Sequence, residues 1–288
     1  MNFEEYQYLN TVVDVLKNGE KSSNRTGIDT LFKFGLSMKF NLQNGFPLLT
    51  TKKMAWKSAF AEMLGFLRGY DNAADFRKLG CHVWDQNANE NKEWLNNPFR
   101  KGADDIGRVY GVQWRQWRTN NSTTINQLKK VYDDLRQGKD NRREIVTAWN
   151  PAELDRMALP PCHMFMQFGI RRSEHLLDLA VYIRSNDIGL GMPFNIAQYA
   201  FLLTVMAQIT GYKPGTLHYF AFNYHIYENH VKPLKEQVKR IPRDAPTIYI
   251  NPDCDSLEFL ETTKLPIEKW VEIDNYNPHP YIKMEMAV

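Results

Sequence analysis

The sequence predicts an α+β fold with one domain over residues 1–288. Near-continuous apolar runs at 144–149, 163–170 and 176–183 are typical of sheet strands that are covered on both faces. Helical patterns flank this region, but strands and helices do not alternate strictly, and no GxGxxG or P-loop motif occurs. No internal repeat or flexible linker divides the chain, so we expect a single domain.

Glycines mark the ends of the predicted helices in the N-terminal half, because glycine tolerates the backbone conformation that often ends a helix. Gly19, Gly69 and Gly138 have this position. In chain order, the predicted elements are a helix over 3–18, a strand over 30–41, a helix over 53–69, a polar surface loop over 86–108 and a helix over 124–137.

The C-terminal half adds a hairpin and two further helices. Residues 171–175 form a short polar break between two apolar runs, which predicts a hairpin turn. The other predicted elements are an apolar helix over 194–210, an amphipathic helix over 226–239, and short strands over 216–222, 246–250 and 281–286.

Composition argues against several classes of protein. A hydrophobic fraction of 43% with 13% aromatic residues indicates an ordered globule, and a net charge of +3 gives no reason to expect nucleic acid or a membrane as partner. Cys81, Cys162 and Cys254 are widely spaced, so neither a disulfide scaffold nor a metal site is expected. The start has no signal-peptide pattern and the apolar run 199–209 is too short to cross a bilayer, so we expect a cytoplasmic protein.

The strongest sign of chemistry is Cys162, which follows a Pro-Pro pair and precedes His163. An isolated cysteine is usually a small buried hydrophobe, but here the prolines fix the backbone in front of the thiol. Arg184 and Ser185 offer a planar donor fork and a hydroxyl, which together suit a phosphate group. We therefore expect covalent catalysis by a thiolate on a phosphorylated small molecule.

Other positions have both a structural and a functional interpretation. Arg25, Arg142 and Arg143 are either solvated surface charges or phosphate ligands. Glu62, inside an apolar helix, is either a charge at the rim of the helix or an acid–base group with a shifted pKa. Asn195 is either a helix N-cap or a side chain that reads a pyrimidine, because its amide offers one donor edge and one acceptor edge.

One short polar segment holds His225, Tyr227, Asn229 and His230. Metal binding is one interpretation of this segment, but no further cluster of ligands supports it. Binding of sugar hydroxyls suits the mixture of side chains better.

Long motifs in the sequence resemble the thymidylate synthase family over nearly the whole chain. These motifs are RTG at 25–27, FNLQNGFPLLTTKK, AEMLGFLRG, VWDQN, VYGVQWR, NRREIVTAWNP, MALPPCH, RSNDIGLGMPFNIA, HIYENH and YNPHPYIKMEMAV. The resemblance implies one α+β domain, with a mixed sheet that is flanked by helices and packs against the sheet of a partner subunit. It also implies a homodimer in which Arg142 and Arg143 reach the partner's site.

The resemblance further implies a reaction and a set of site residues. Cys162 would add to C6 of dUMP, and C5 would then accept a one-carbon unit from 5,10-methylenetetrahydrofolate. The implied catalytic residues are Cys162, Glu62, Tyr110 and His163. The implied dUMP-binding residues are Arg25, Arg142, Arg143, Gln167, Arg184, Ser185, Asn195, His225 and Tyr227. The implied folate-binding residues are Trp84, Asn87, Asp187, Gly191, Phe194 and Val288.

Several residues depart from the family pattern and leave two reactions open. The departures are Gly65 for tryptophan, Arg108 for proline, Ile183 for glutamine, and Phe222-Asn223 for a Gly-Asp pair. Smaller or rewired side chains would leave room for an ordered water, as in a hydroxymethylase that converts dUMP to hydroxymethyl-dUMP. Trp84 and the tail that ends at Val288 favour hydride transfer instead, because closing the site excludes water.

Overall fold

The computed structural model describes residues 2–24, 26–121 and 123–285. Its helices are α1 (Phe3–Asn18), α2 (Trp56–Arg68), α3 (Ala73–Lys78), α4 (Asp85–Asn89), α5 (Lys92–Leu95), α6 (Gly111–Arg115), α7 (Gln127–Arg136), α8 (Gly191–Thr210), α9 (Val231–Gln237) and α10 (Leu257–Thr262). Its strands are β1 (Glu20–Ser22), β2 (Thr30–Asn41), β3 (Trp117–Arg118), β4 (Thr124–Ile125), β5 (Ile145–Thr147), β6 (His163–Arg171), β7 (Leu176–Asp187), β8 (Lys213–Tyr227), β9 (Thr247–Ile250) and β10 (Val271–Asp274).

The central element is a six-stranded mixed sheet in the order β1-β2-β8-β7-β6-β5. Its neighbouring strands are antiparallel except for β7 and β8, which run parallel and are connected through α8. The α+β class with a mixed sheet flanked by helices is therefore confirmed. The β7–β8 pairing matters for the site because it sets Ser185 beside Asn223 and Asp187 beside His225.

One face of the sheet is covered by α8, a helix that is apolar on every side and almost wholly buried. Its C-cap is Gly211, whose φ of +85° is left-handed and whose N–H bonds to the carbonyls of the last turn. Alternate residues of β7, such as Val181 and Ile183, are buried in the core below it. This rigid helix fixes the position of the residues in its first turns.

The opposite face of the sheet carries a row of aromatic side chains that the described helices leave partly exposed. Phe165 stacks on Tyr182 at 4.3 Å between ring centroids, and Tyr182 stacks on Phe220 at 4.8 Å. Phe34, near the end of this row, is 71% exposed. Within one chain, helices therefore cover only one face of the sheet. The prediction that these strands are covered on both faces is not met by a single chain.

Most predicted helices and strands are present, with some corrections. The loop predicted over 86–108 contains α5 and most of α4, because Asn91 caps a short helix with its side chain. The helix predicted over 226–239 begins only at Val231, since β8 continues to Tyr227. The strand predicted over 281–286 is absent from its described part, since residues 281–285 have no regular secondary structure and pair with no strand among the described residues. In the described part of the chain, no helix is both long and apolar enough to span a membrane.

Candidate active site

The loop that carries Cys162 is held in place from both sides. The Cys162 N–H donates to the hydroxyl oxygen of Tyr110 at 2.9 Å, and the Cys162 carbonyl accepts from the backbone N–H of Arg184 at 2.9 Å. The Arg184 guanidinium also donates to the carbonyls of Pro161 and Pro160, each at 2.9 Å. These four hydrogen bonds, three to carbonyl oxygens and one to a hydroxyl oxygen, fix the backbone of the loop. Cys162 itself is partly exposed.

Tyr110 is a strained and buried residue that contributes to this loop from a different element. Its φ is +29°, a value that residues with a Cβ rarely adopt, and its ring stacks on Phe66 at 4.7 Å. The hydroxyl is buried beside Cys162, and burial raises its pKa well above the ordinary value. Tyr110 is thus a neutral hydrogen-bonding group, and its strain is typical of a functional position.

Glu62 of α2 is an acid with a pKa near neutrality. Burial raises the pKa of its carboxyl to about 7, against the lowering effects of the amide of Gln198 and the indole of Trp84. The Gln198 amide donates to this carboxyl at 2.5 Å. Of the two interpretations of Glu62, the shifted acid–base group fits this environment.

His163 and Asn195 lie together below the thiol loop. Burial lowers the pKa of His163 to about 4, although a hydrogen bond with Asn195 raises it, so the imidazole is neutral at pH 7. Asn195 also interacts with the buried hydroxyl of Tyr219. The N-cap interpretation of Asn195 is wrong, because α8 begins at Gly191 with Leu190 as its N-cap. The amide instead lies at the inner end of the candidate site.

A second group of predicted residues lies at the end of β7. The Asp187 carboxylate accepts from the N–H groups of Gly189 at 2.8 Å and Leu190 at 3.3 Å, and so shapes the turn into α8. The His225 carbonyl accepts from the backbone N–H of Ile188 in this turn, and burial lowers the pKa of the His225 ring. The rings of His225 and Tyr227 meet edge to face at 5.1 Å. Arg184 connects the two groups, since it lies on the same strand as Asp187.

Four further predicted residues lie on the elements that carry the Cys162 loop contacts, the Asp187 turn or Trp84. Ser185 follows Arg184 on β7 and is partly exposed. Gly191 and Phe194 lie in the first turn of α8, directly after the Asp187 turn. Asn87 lies on α4, three residues after Trp84, and is also partly exposed. Arg25 and Val288 lie outside the described residues.

Arg142, Arg143 and Gln167 are not brought to the thiol of their own chain. Glu144 accepts from the backbone N–H groups of Asn141 at 3.1 Å and Arg143 at 3.0 Å, which fixes the loop before β5. The Gln167 amide lies 3.5 Å from the Arg142 carbonyl. Because β6 is extended, Gln167 is roughly 17 Å along the strand from Cys162. Gln167 thus lies at the middle of β6, and Arg142 and Arg143 lie beside it in the loop before β5, away from the nucleophile.

The departures from the family pattern leave less space than expected. Any Cβ added at Gly65 would collide with the ring of Phe76, so the expectation that Gly65 leaves room for water is wrong. Ile183 is fully buried in the core, and Asn223 Oδ1 lies 2.8 Å from His225 Nδ1. Arg108 pairs with the buried carboxylate of Glu153 at 2.7 Å. Each of these four departures has a packed or hydrogen-bonded place in the structure.

Two polar residues of the site were missed in the sequence. Gln198 lies three residues after Asn195 on α8, a spacing that places both on one helix face and could have identified it. Lys52 is buried, donates from Nζ to the Gly189 carbonyl at 2.5 Å, and has a pKa that burial lowers to about 8. No group of three or more His, Cys, Asp or Glu that could hold a metal ion occurs within the described ranges.

Comparison with known proteins agrees with this geometry. The sequence profile of the family described as thymidylate synthase matches residues 6–288. A thymidylate synthase of Pseudomonas putida is 44% identical over 98% of this chain and 99% of its own length. The thymidylate synthase of Actinobacillus succinogenes is 47% identical over 94% of this chain and 94% of its own length. That of Bordetella bronchiseptica is 40% identical over 98% of this chain and 99% of its own length. The chain belongs to the thymidylate synthase family.

The family assignment defines the reaction. The protein is a folate-dependent enzyme that methylates C5 of dUMP to give dTMP, with 5,10-methylenetetrahydrofolate as co-substrate. The hydroxymethylase alternative is not favoured, because the full-length relatives are thymidylate synthases.

Proposed function

We propose that the enzyme acts through a covalent bond between the Cys162 sulfur and C6 of dUMP. The thiolate adds to C6, and the electron pair displaced onto C5 forms a bond to the one-carbon unit. After C5 loses its proton, the bond between the one-carbon unit and the folate nitrogen breaks and leaves an exocyclic methylene on C5. Hydride from the tetrahydrofolate so released adds to this methylene, and the thiolate leaves C6 as the methyl group is completed. Methylenetetrahydrofolate supplies both the carbon and the hydride and becomes dihydrofolate. The observation that carries this proposal is the fixed backbone of Cys162 between Tyr110 and Arg184.

The groups around the thiol have complementary roles in this proposal. Glu62, with a pKa of about 7, exchanges protons with the base through water, because both of its protonation states are populated at neutral pH. Tyr110 orients the Cys162 loop, and neutral His163 supports Asn195. Asn195 reads the polar edge of uracil.

Phosphate and sugar bind on either side of the base in this arrangement. Arg184 already uses Nε and one Nη2 N–H on proline carbonyls, so its other N–H groups serve the phosphate together with Ser185 and Arg25. His225 and Tyr227 contact the deoxyribose. The residues proposed to line the folate site are Trp84, Asn87, Asp187, Gly191, Phe194 and Val288.

A homodimer explains two features of the single chain. The aromatic row of Phe165, Tyr182 and Phe220 lies on the sheet face that the described helices do not cover, and a second copy would bury it. Arg142 and Arg143 lie far from the Cys162 of their own chain, and their side chains form no ion pair among the described residues. We infer that both arginines, with Gln167 beside them, serve the phosphate site of the partner subunit.

Hydride rather than water completes the reaction in this proposal. Phe76 fills the space beside Gly65, and Ile183 is sealed in the core, so neither departure provides a place for an attacking water. We further propose that residues 1–288 act as one catalytic domain and that the enzyme works in the cytoplasm.

Product analysis tests the proposal directly. Dihydrofolate formation should raise the absorbance in step with dTMP formation, and fluoro-dUMP with the folate should give a covalent complex. Cys162→Ser should lose both signals by several orders of magnitude, because an alkoxide forms far less readily than a thiolate. Cys254→Ser is the matched control, since Cys254 is buried outside the site. Turnover of dUMP without dihydrofolate, or an active Cys162→Ser enzyme, would contradict the proposal.

A further inference from the structure

His230 lies between the C-terminal segment, residues 281–285, and the Asp187 turn, residues 187–190. Its side chain is fully buried. Ring atom Nε2 lies 2.7 Å from the carbonyl oxygen of Glu285, and Nδ1 lies 3.5 Å from Oδ1 of Asp187. Because a carbonyl oxygen can only accept, Nε2 carries the proton and donates to Glu285. The imidazole therefore contacts both segments, and its direct hydrogen bond goes to the Glu285 carbonyl.

The packing around the imidazole is close. A side chain at Gly189 would collide with the His230 ring and would come within 3.1 Å of the Met284 sulfur. Lys52 holds the other side of the same turn through the Gly189 carbonyl. The Asp187 turn thus lies in direct contact with both the histidine and the C-terminal segment.

The C-terminal segment has little else to hold its backbone. Ile282 and Met284 are buried in the core, while Tyr281 and Lys283 point to solvent. Among the described residues, the bond from His230 is the one hydrogen bond to the backbone of 281–285. The two apolar side chains anchor the segment, and His230 fixes its course toward the Asp187 turn.

We propose that His230 is a positioning residue that fixes the C-terminal segment against the Asp187 turn and so keeps that wall of the folate site in its binding form. It acts through its hydrogen bond to Glu285 and its packing against Gly189 of the Asp187 turn, and it touches neither substrate. The inference rests on the proposed role of Asp187 in folate binding. It adds a residue that the sequence analysis assigned to the sugar segment.

Two substitutions separate the two contacts of the ring. In His230→Gln, the amide nitrogen can occupy the position of Nε2 and still donate to the Glu285 carbonyl. In His230→Asn, the side chain is shorter, so its amide extends only to the position of Nδ1 and the bond to Glu285 is lost. His175→Asn is the matched control, since His175 makes the same kind of 2.7 Å contact with the Gly211 carbonyl at the other end of α8. The measurements are KM for methylenetetrahydrofolate and dUMP, Tm, and deuterium uptake of a peptide that covers 281–285.

His230→Asn should raise KM for the folate roughly tenfold, as expected for the loss of about one buried hydrogen bond, and should speed deuterium uptake at 281–285. KM for dUMP and Tm should change little, and His230→Gln and His175→Asn should behave like the parent. Unchanged folate KM and uptake in His230→Asn would overturn the inference, as would a His230→Gln enzyme with equally raised folate KM. Failure of the proposed function is a separate outcome, because the parent enzyme itself would then form no dTMP.

Discussion

The Cys162 N–H donates to the Tyr110 hydroxyl at 2.9 Å, across 52 positions of the sequence. Tyr110 is held at a positive φ in front of α6, and its ring stacks on Phe66 of α2. The same tyrosine meets His163 at 5.2 Å and Trp84 at 5.9 Å between ring centroids. One strained residue therefore connects the nucleophile to the helix that carries Glu62, and its strain is offset by burial.

Tyr110→Phe should slow the attack of Cys162 without unfolding the protein. The substitution removes the acceptor and leaves the Cys162 N–H unpaired, at a cost of about 1–3 kcal/mol. We expect the covalent complex with fluoro-dUMP to form roughly tenfold to a hundredfold more slowly, measured by mass spectrometry at timed intervals. Tyr132→Phe on α7, outside the site, is the control. Equal rates for parent and Tyr110→Phe would show that this bond does not orient the thiol.

Glu62→Gln should reveal the raised pKa of Glu62 as a pH-dependent change in stability. The folded pKa is about 7 and the ordinary value is 4.5, so between these values the folded protein holds a proton that the unfolded chain has lost. The contribution of Glu62 to the free energy of unfolding of the parent protein therefore falls as the pH rises from 4.5 to about 7. The variant, which never ionises, should be more stable than the parent by roughly 1–3 kcal/mol at pH 8 and by nothing near pH 4.

Urea unfolding at the two pH values measures this difference, and dTMP formation should be lost in the variant at both. A stability difference that is the same at pH 4 and pH 8 would show that Glu62 does not titrate in this window.

Mixing two inactive variants should restore activity if the sites are shared between subunits. Arg143→Ala should be inactive through its loss from the partner's site, and Cys162→Ala through the loss of the nucleophile. A mixed dimer holds one site in which both residues are intact, so up to about half of the parent's activity per mixed dimer should return. Subunit exchange is checked by mass spectrometry, and Lys101→Ala replaces Arg143→Ala as a surface control. No recovery in exchanged dimers would place Arg143 in its own chain's site or outside both.

Local signals explain which parts of this structure the sequence could predict. The bounds of α1 and β2 match the predicted 3–18 and 30–41, because helical spacing stops at Gly19 and alternation marks the strand. The helix predicted over 226–239 failed at its start, since the pairing of Tyr227 with Thr30 on β2 keeps that residue in a strand. Such pairing is a long-range contact that no local pattern contains.

The candidate site shows the same limit. Cys162 was identified from its Pro-Pro context, but its bond to Tyr110 depends on how two distant loops meet. The sequence predicts free space beside Gly65, whereas the ring of Phe76 on α3 fills that space. The functional role of a residue was thus predictable where its neighbours in the sequence determine its chemistry. Its environment was not predictable where a separate element completes the site.

Gly65→Ala should destabilise the protein, although alanine normally favours a helix over glycine by about 1 kcal/mol. The added methyl group would overlap the Phe76 ring, and overpacking of this kind costs about 1–3 kcal/mol. Urea unfolding measures the change. The double variant with Phe76→Leu should recover part of the loss, because the smaller side chain frees the space. A stabilised Gly65→Ala protein would mean that Phe76 moves away without cost.

Asn195→Asp should shift the enzyme from dUMP toward dCMP. Uracil presents an N3–H donor and an O4 acceptor, which the two edges of the Asn195 amide can match, whereas cytosine presents an N3 acceptor and an N4 amine. The amide cannot rotate freely, because its neighbours His163 and Tyr219 are buried and hydrogen-bond to it.

A buried site whose polar groups are left unpaired discriminates by roughly a hundredfold or more, so kcat/KM for dUMP should fall by at least that factor in the variant. The carboxylate would accept from the cytosine amine, and turnover of dCMP should rise above the parent's. Asn18→Asp on the exposed end of α1 controls for the added charge. The measurement is kcat/KM for both nucleotides at one pH. If the parent enzyme already turns over dCMP as well as dUMP, Asn195 does not select the base.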